Sequence, residues 1–291
     1  MGEFFSIACA AVWALAVVLF RRSGETLPAF ELNLFKNLLG TLLMALTVLV
    51  LGTTPLPAFT PTEWLVVLGS GVIGIALADT WYLRALNLMG AARTGVTASL
   101  FSPFVVALSA MFLGERLRGW QFAGFALVLA GIVLVTWRSR RIDVSARALR
   151  LGVFYGTGAV LMMAIGIVMV KPVLEGEHFF ATAGLRLAAG SVAMVAFVTA
   201  TRSWPAVMAR YRQPQPWPMI VFASFLASYF AMLLWLGGYR LAPASVASVL
   251  NETAAAFIVL FAWWMLSEPL SLQRVAGLGL TFSGVVLILV V

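Results

Sequence analysis

Apolar runs of about 20 residues follow one another along this chain, joined by connections too short to hold a further domain. An α-helix needs about 20 mostly apolar residues to cross a bilayer. Ten stretches reach about that length, at about 4–20, 30–51, 64–87, 91–113, 119–137, 149–170, 178–200, 216–239, 243–266 and 272–291. Lipid offers no partners to backbone N–H and C=O groups, so such runs are read as helices that bond internally. The predicted fold class is therefore an all-α polytopic membrane protein with ten transmembrane helices. Composition agrees: 62% of the 291 residues are hydrophobic and 10% are charged, where a soluble domain carries about 25% charged residues. The connections punctuate the runs. "GTTPLPAFTP" holds three prolines, "RSRRIDVSARALR" is the most charged segment, and "TRSWPAVMARYRQPQPWP" is the longest loop.

Several function classes lose support at this level. The single cysteine, Cys9, cannot form an internal disulfide, and the single histidine, His178, cannot build a histidine-rich metal site. The net charge of +8 comes mostly from Lys and Arg between apolar runs, where they set orientation and meet anionic lipid headgroups. Nucleic acid is not an expected partner. The first apolar run is followed by "RRSGE" rather than a small-residue cleavage site, and reads as a retained helix. There is no P-loop and no HExxH, so the sequence gives no support for an enzyme and calls for no cofactor or metal.

Internal repetition organises the rest. A shift of 153 residues lays "FLGERLRGWQFAGFALVLAGIVLV" over "MLSEPLSLQRVAGLGLTFSGVVLI", matching Glu115 with Glu268, Gly124 with Gly277 and Gly131 with Gly284. Tyr82 then falls on Trp235. A shift of 150 relates the early runs, matching Arg21 with Lys171, Lys36 with Arg186 and Gly40 with Gly190. Each half holds five spans, an odd number, so the second half must enter the membrane from the opposite side. The expectation is two inverted five-helix repeats, residues 1–141 and 142–291, an arrangement that builds a binding site between halves.

The "LGE" at residues 113–115, followed by Gly124 and Gly131 and repeated as "LSE…GLGLTFSGVVL", resembles the EamA-type family of the drug/metabolite transporter superfamily. The resemblance covers the whole chain. It implies a ten-helix carrier in a bacterial inner membrane, monomeric or weakly dimeric, that moves a small organic metabolite by alternating access, most often outward. It implies a cavity shared by spans 1, 3, 4, 6, 8 and 9. The second copy departs from the pattern. Ser267 replaces the glycine of "LGE", and Ala256 stands opposite Pro103, so span nine is expected to lack the helix-breaking residue of span four.

Ionisable residues inside apolar runs are candidates for function. Asp79 either pairs locally with Arg84 or presents a carboxylate to a cationic group or a proton. At helical spacing, Gly71, Ile75, Tyr82 and Leu86 extend its face. Glu252 has no basic neighbour in its own run and sits on a stripe with Ser245, Ser248 and Val259. It either packs by hydrogen bonding or lines a cavity. In a cavity it exchanges a proton between states, since burial disfavours a charged carboxyl, or stays charged and binds an amine. Asn251 offers hydrogen-bonding support. Lys36 and Arg186 snorkel to an interface, or pair with Glu31, Asp79 or Glu252, or meet a substrate carboxylate; both signs in one cavity would suit an amino acid. Trp13, Tyr82, Tyr155, Tyr229 and Trp235 divide between core packing and cavity lining. Glu115 and Glu268 are read as caps for the helix that follows each.

The leading reading is a secondary transporter, an exporter of a small organic metabolite such as an amino acid or amine, in which Asp79 and Glu252 either recognise charge or carry protons. The alternative is a membrane-embedded enzyme or lipid-handling protein with a laterally open cavity. Loops after odd-numbered spans carry Arg21, Arg22, Arg138, Arg140, Arg141, Arg202, Arg210 and Arg212 among others, against Arg116, Arg118, Lys171 and Arg240 on the other side. This bias places both chain ends outside, whereas the family resemblance implies the reverse. By charge bias, a reporter fused after Val291 is active only when it requires the external side. Activity of a cytoplasm-dependent reporter there overturns that orientation.

Overall fold

The computed structural model describes residues 1–22, 27–51, 57–89, 94, 97–115, 117, 119–136, 145–176, 178–266 and 272–290. The described residues are helical throughout their regular structure. In chain order the helices are α1 (Gly2–Arg22), α2 (Ala29–Val50), α3 (Pro61–Gly71), α4 (Ala78–Met89), α5 (Phe101–Phe112), α6 (Gly119–Thr136), α7 (Ala146–Leu174), α8 (Phe179–Ala200), α9 (Trp204–Arg212), α10 (Trp217–Phe225), α11 (Ala231–Leu241), α12 (Ala244–Asn251), α13 (Ala254–Leu266) and α14 (Leu272–Val290). Two wider π-helical turns, Val72–Leu77 and Leu226–Phe230, join α3 to α4 and α10 to α11. Seven continuous helical stretches are long and apolar enough to cross a membrane, and Phe101–Phe112, Gly119–Leu134 and Val275–Leu289 are shorter apolar helices.

Local sequence explains most boundaries. Thr60 accepts from the Glu63 N–H while the Glu63 carboxylate accepts from the Thr60 N–H at 2.8 Å, a reciprocal cap with Pro61 at the first helical position. Ser145 starts α7 by accepting from the Ala148 N–H. Tertiary packing decides what the boundaries alone do not. The long helix α7 lies against α3, the first π-turn, α4 and α5, while α1 lies against α10, α11, α12 and α13. Each half thus lends its first helix to the other half's third and fourth spans. The largest core cluster follows α7, joining Val105, Ile167, Leu174, Leu236 and Tyr239.

Two sequence expectations need correction. The face drawn through Gly71, Ile75 and Tyr82 assumes regular helical spacing, but the π-turn at Val72–Leu77 inserts extra backbone and rotates α4 relative to α3. Span nine is also broken despite Ala256. The Thr253 N–H bonds Leu250 O, Ala255 bonds Glu252 O and Ala256 bonds Thr253 O, a tight i→i+3 turn between α12 and α13. The turn is held by its own i→i+3 bonds and by the Thr253 hydroxyl, which donates to Leu250 O at 2.7 Å.

The spaced glycines meet one another. A Cβ at Gly124 would lie 2.7 Å from the Gly284 carbonyl oxygen, one at Gly284 would lie 2.6 Å from the Gly124 oxygen, and Gly131 faces Gly277. α6 and α14 therefore cross antiparallel with their backbones touching, as small residues allow. Gly279 on the same α14 faces open space. Gly124→Ala is expected to lose about 1–3 kcal/mol through overpacking, seen as a lower melting temperature of the purified protein. Gly279→Ala is expected to be neutral or slightly stabilising. Equal melting of the two variants would refute this packing.

Candidate functional site

The broken spans carry the first part of the site. Helix N-termini leave N–H groups unpaired, and at neither α5 nor α12 does the preceding residue, Leu100 or Pro243, provide a side-chain cap. Each cap comes from the other half of the chain. Glu252 Oε1 accepts from the Ser102 N–H at 3.3 Å and from Ser102 Oγ at 2.9 Å, which places its carboxylate on the first turn of α5. Glu115 accepts from the Ala244 N–H at 2.8 Å and from the Ser245 N–H and Oγ at 2.9 Å, on the first turn of α12. Gly114, with φ +68°, turns the chain after α5 so that Glu115 can reach. Among the described residues Glu115 thus caps a helix of the other half rather than the helix that follows it; Glu268 lies outside the described residues. Such caps contribute about 0.5–2 kcal/mol each, aided by the positive end of the helix.

Lys171 completes this junction. Its Nζ donates to Glu175 at 2.6 Å, to Tyr239 O at 2.7 Å and to Ala242 O at 3.0 Å, and lies 3.9 Å from Glu115. It holds the open carbonyls at the end of α11 while Glu115 holds the start of α12, so opposite charges sit on opposite dipole ends across one hairpin.

A mixed-sign group forms the second part of the site. Lys36 Nζ is 3.5 Å from Asp79 Oδ2 and 5.9 Å from the centre of the Trp13 ring. Beside them Asn33 Oδ1 accepts from the Asn37 amide at 3.1 Å. Arg186 stacks on Trp235 at 5.2 Å and is 2% exposed. Helix α8 approaches the π-turn at Gly71 and Gly74, where a Cβ on Gly74 would lie 3.0 Å from Arg186 Nη2. Arg186 feels the charge of Asp79, Tyr82 feels both Asp79 and Glu252, and Tyr239 feels both Glu252 and Arg186. Two cations and two carboxylates, drawn from both halves, therefore share one interior region with two tyrosines and two tryptophans.

The sequence-predicted residues divide accordingly. Asp79, Glu252, Tyr82, Trp13, Trp235, Lys36 and Arg186 belong to this region. Arg84 is not the partner of Asp79: it is exposed and stacks over Tyr155 at 4.7 Å, and Tyr155 packs with Trp81 and Phe154. Tyr229 bonds Thr47 at 2.5 Å in an apolar recess with Leu43 and Leu46. Ser248 and Asn251 turn back to the carbonyls of Ser245 and Ala247. Snorkelling fails for Arg186, whose side chain is sealed in. Sequence reasoning misses Ser102 and Tyr239. Ser102 has no charge to mark it, and Tyr239 sits near the end of an apolar run like many interfacial aromatics.

Known proteins share this fold and its sequence pattern. The EamA-like transporter family matches residues 1–137 and 150–290. The pseudopaline exporter CntI of Pseudomonas aeruginosa is 28% identical over 135 residues, 46% of this chain and 46% of the exporter. The chain thus spans about half the length of that curated relative. An uncharacterized transporter of Archaeoglobus fulgidus is 23% identical over 282 residues, covering 95% of this chain and 93% of that one. A protein of known crystal structure superposes with a TM-score of 0.79 at 18% identity, covering 100% of this chain and 99% of the other. At that identity the likeness shows the fold alone.

The Lys36–Asp79 contact yields a direct test. Lys36→Met leaves Asp79 without its counter-charge and Asp79→Asn does the converse, so the double variant should lose less stability than the two losses added. A coupling of about 0.5–3 kcal/mol is expected from unfolding of the purified variants. Additive losses would show that the contact contributes nothing.

Proposed function

This chain belongs to the EamA-like transporter family, and from that premise we propose that this multi-pass membrane transporter exports an amino acid or amine by alternating access. The observation that carries the reading is the interior group of Lys36, Asp79, Arg186 and Glu252, in which residues of both halves present both signs of charge. Charged side chains inside a membrane protein are costly and typically line a solute or ion path. Export agrees with the name of the Pseudomonas aeruginosa relative, and a bacterial cytoplasmic membrane is the setting that fits.

Alternating access requires two halves that can rock about a shared site. The reading is of ten membrane-crossing helices in two inverted five-helix repeats, residues 1–141 and 142–291. Several contacts support it. Thr41 Oγ1 and Ser191 Oγ, 150 residues apart, meet at 2.9 Å. Gly40 approaches Ser228 and Gly190 approaches Ile75, each pairing one repeat's second span with the other's π-turn. The π-turns themselves, Val72–Leu77 and Leu226–Phe230, nearly coincide after the shift of 153 residues. Antiparallel mates in mutual contact are what a two-fold axis in the membrane plane would produce.

Glu252 supplies the coupling. As a carboxylate it accepts both Ser102 bonds and places negative charge on the N-terminus of α5. A proton on Glu252 removes that charge and loosens the junction between halves, so proton binding and the change of access become linked. Glu252→Gln keeps an oxygen able to accept from Ser102 and cannot exchange a proton. In liposomes the wild type is expected to accumulate a substrate amino acid or amine when a pH gradient is imposed. The Glu252→Gln variant should lose at least about tenfold of that driven rate yet retain substrate exchange. Gradient-driven transport with unchanged pH dependence in the variant overturns the role of Glu252. Chemical conversion of the solute would point instead to an enzyme.

A further inference from the structure

Arg186 differs from the other interior cations in having bonds left to make. Lys171 is satisfied by two carbonyls and a carboxylate, and Lys36 by Asp79. By contrast, Arg186 Nε and Nη1 have no hydrogen-bond partner among the described residues, and neither do Thr182 Oγ1 and Tyr239 Oη. All three side chains are sealed from solvent, with Thr182 and Tyr239 at 0% exposure. They belong together. Thr182 precedes Arg186 by one turn on α8 and shares its face. Arg186 and Tyr239 both pack on Trp235, with the guanidinium carbon and the Tyr239 ring each 5.2 Å from the Trp235 ring centre.

The chemistry of the open groups is one-sided. A guanidinium only donates, and a hydroxyl can always donate. Buried donors left unpaired are destabilising, more so when one is charged, and a protein that satisfies Lys171 so fully has no general failure to pair its cations. What is missing is an acceptor with negative charge. Asp79 lies within electrostatic reach of Arg186, so its charge opposes a doubly charged anion there more than a singly charged one.

We propose that Arg186, Tyr239 and Thr182 form a subsite for the carboxylate of the transported solute, which makes the substrate an amino acid and not a simple amine. This rests on the transporter reading above. Arg186 holds the carboxylate by charge-assisted hydrogen bonds, Tyr239 and Thr182 donate to its remaining lone pairs, and Trp235 fixes the guanidinium plane. Tyr239 also lies within electrostatic reach of Glu252, a carboxylate of the sign the solute's ammonium group needs.

The test uses the full-length purified protein and pairs of L-amino acids with their decarboxylated amines: leucine with isoamylamine, phenylalanine with phenethylamine, lysine with cadaverine. Thermal stabilisation measures binding, and counterflow in liposomes measures transport of the same compounds. At least one amino acid is expected to stabilise the wild type, with its amine binding at least about tenfold more weakly because the donors stay unpaired. Arg186→Gln should abolish that stabilisation, and Tyr239→Phe should weaken it by about three- to tenfold. Should Arg186→Gln fail to purify as a monodisperse protein, Arg186→Lys, which keeps the charge and loses the fork, replaces it with an expected loss of about tenfold or more. An amine that binds as tightly as its amino acid overturns the subsite, as does wild-type binding in Arg186→Lys together with Tyr239→Phe, or the absence of binding by every amino acid tried. Those results leave transport standing wherever counterflow persists. Binding with the expected selectivity but no counterflow of any compound overturns the transporter reading and leaves the subsite intact.

Discussion

A helix broken inside a membrane exposes N–H and C=O groups where lipid cannot bond them, and the architecture of this protein follows from how those groups are satisfied. At α5, which begins at the break of its span, the acceptor is Glu252, from the end of α12; at α12, which begins after the turn at Ala242–Pro243, it is Glu115, from the hairpin after α5. The starts of α5 and α12 are therefore each capped by a carboxylate of the other half. Lys171 adds the complementary cation at the end of α11. These polar bonds tie α5, α7, α11 and α12 at defined points, while the apolar packing along α7 and α1 supplies bulk without direction. A carboxylate that serves as a cap is also one whose loss of charge would be felt by both halves.

The interior charges follow a second logic. Lys36 and Arg186 occupy matching positions in the two sequence halves, yet their surroundings differ. Lys36 finds Asp79 at 3.5 Å, whereas Arg186 finds the face of Trp235 and three glycines, Gly71, Gly74 and Gly166, but among the described residues no bonded acceptor for Nε or Nη1. The two sequence halves thus differ at these matching positions. The π-turns beside both positions fit the same picture, because they bring wider backbone against α8 and α2 where tight helical packing would otherwise close the interior.

Legibility tracked how local each cause was. Membrane-length apolar runs and prolines in connections are readable because their physics acts within a few residues. Gly124, Gly131, Gly277 and Gly284 are readable as contact residues because their spacing repeats, although the antiparallel register of α6 on α14 is not. The π-turn at Val72–Leu77 has no local signal beyond two glycines, and it displaces the face predicted for Asp79. Arg84 stands near Asp79 in sequence, but Lys36, 43 residues away, is the partner that the fold delivers. Ser102 and Tyr239 matter only through what the fold brings to them.

The sequence alone determined that this chain is helical and membrane-embedded, that it contains a repeated pattern, and that Asp79, Lys36, Arg186 and Glu252 are charges in apolar surroundings. Those conclusions depend on transfer free energies and periodicity, which are properties of segments. The tertiary structure alone decided which charge answers which: Asp79 with Lys36, Glu252 with the start of α5, Glu115 with the start of α12, Lys171 with the end of α11, and Arg186 with open donors. A buried polar group is stabilised only by a partner within about 3 Å and suitably oriented, and that distance is set by packing across the whole chain.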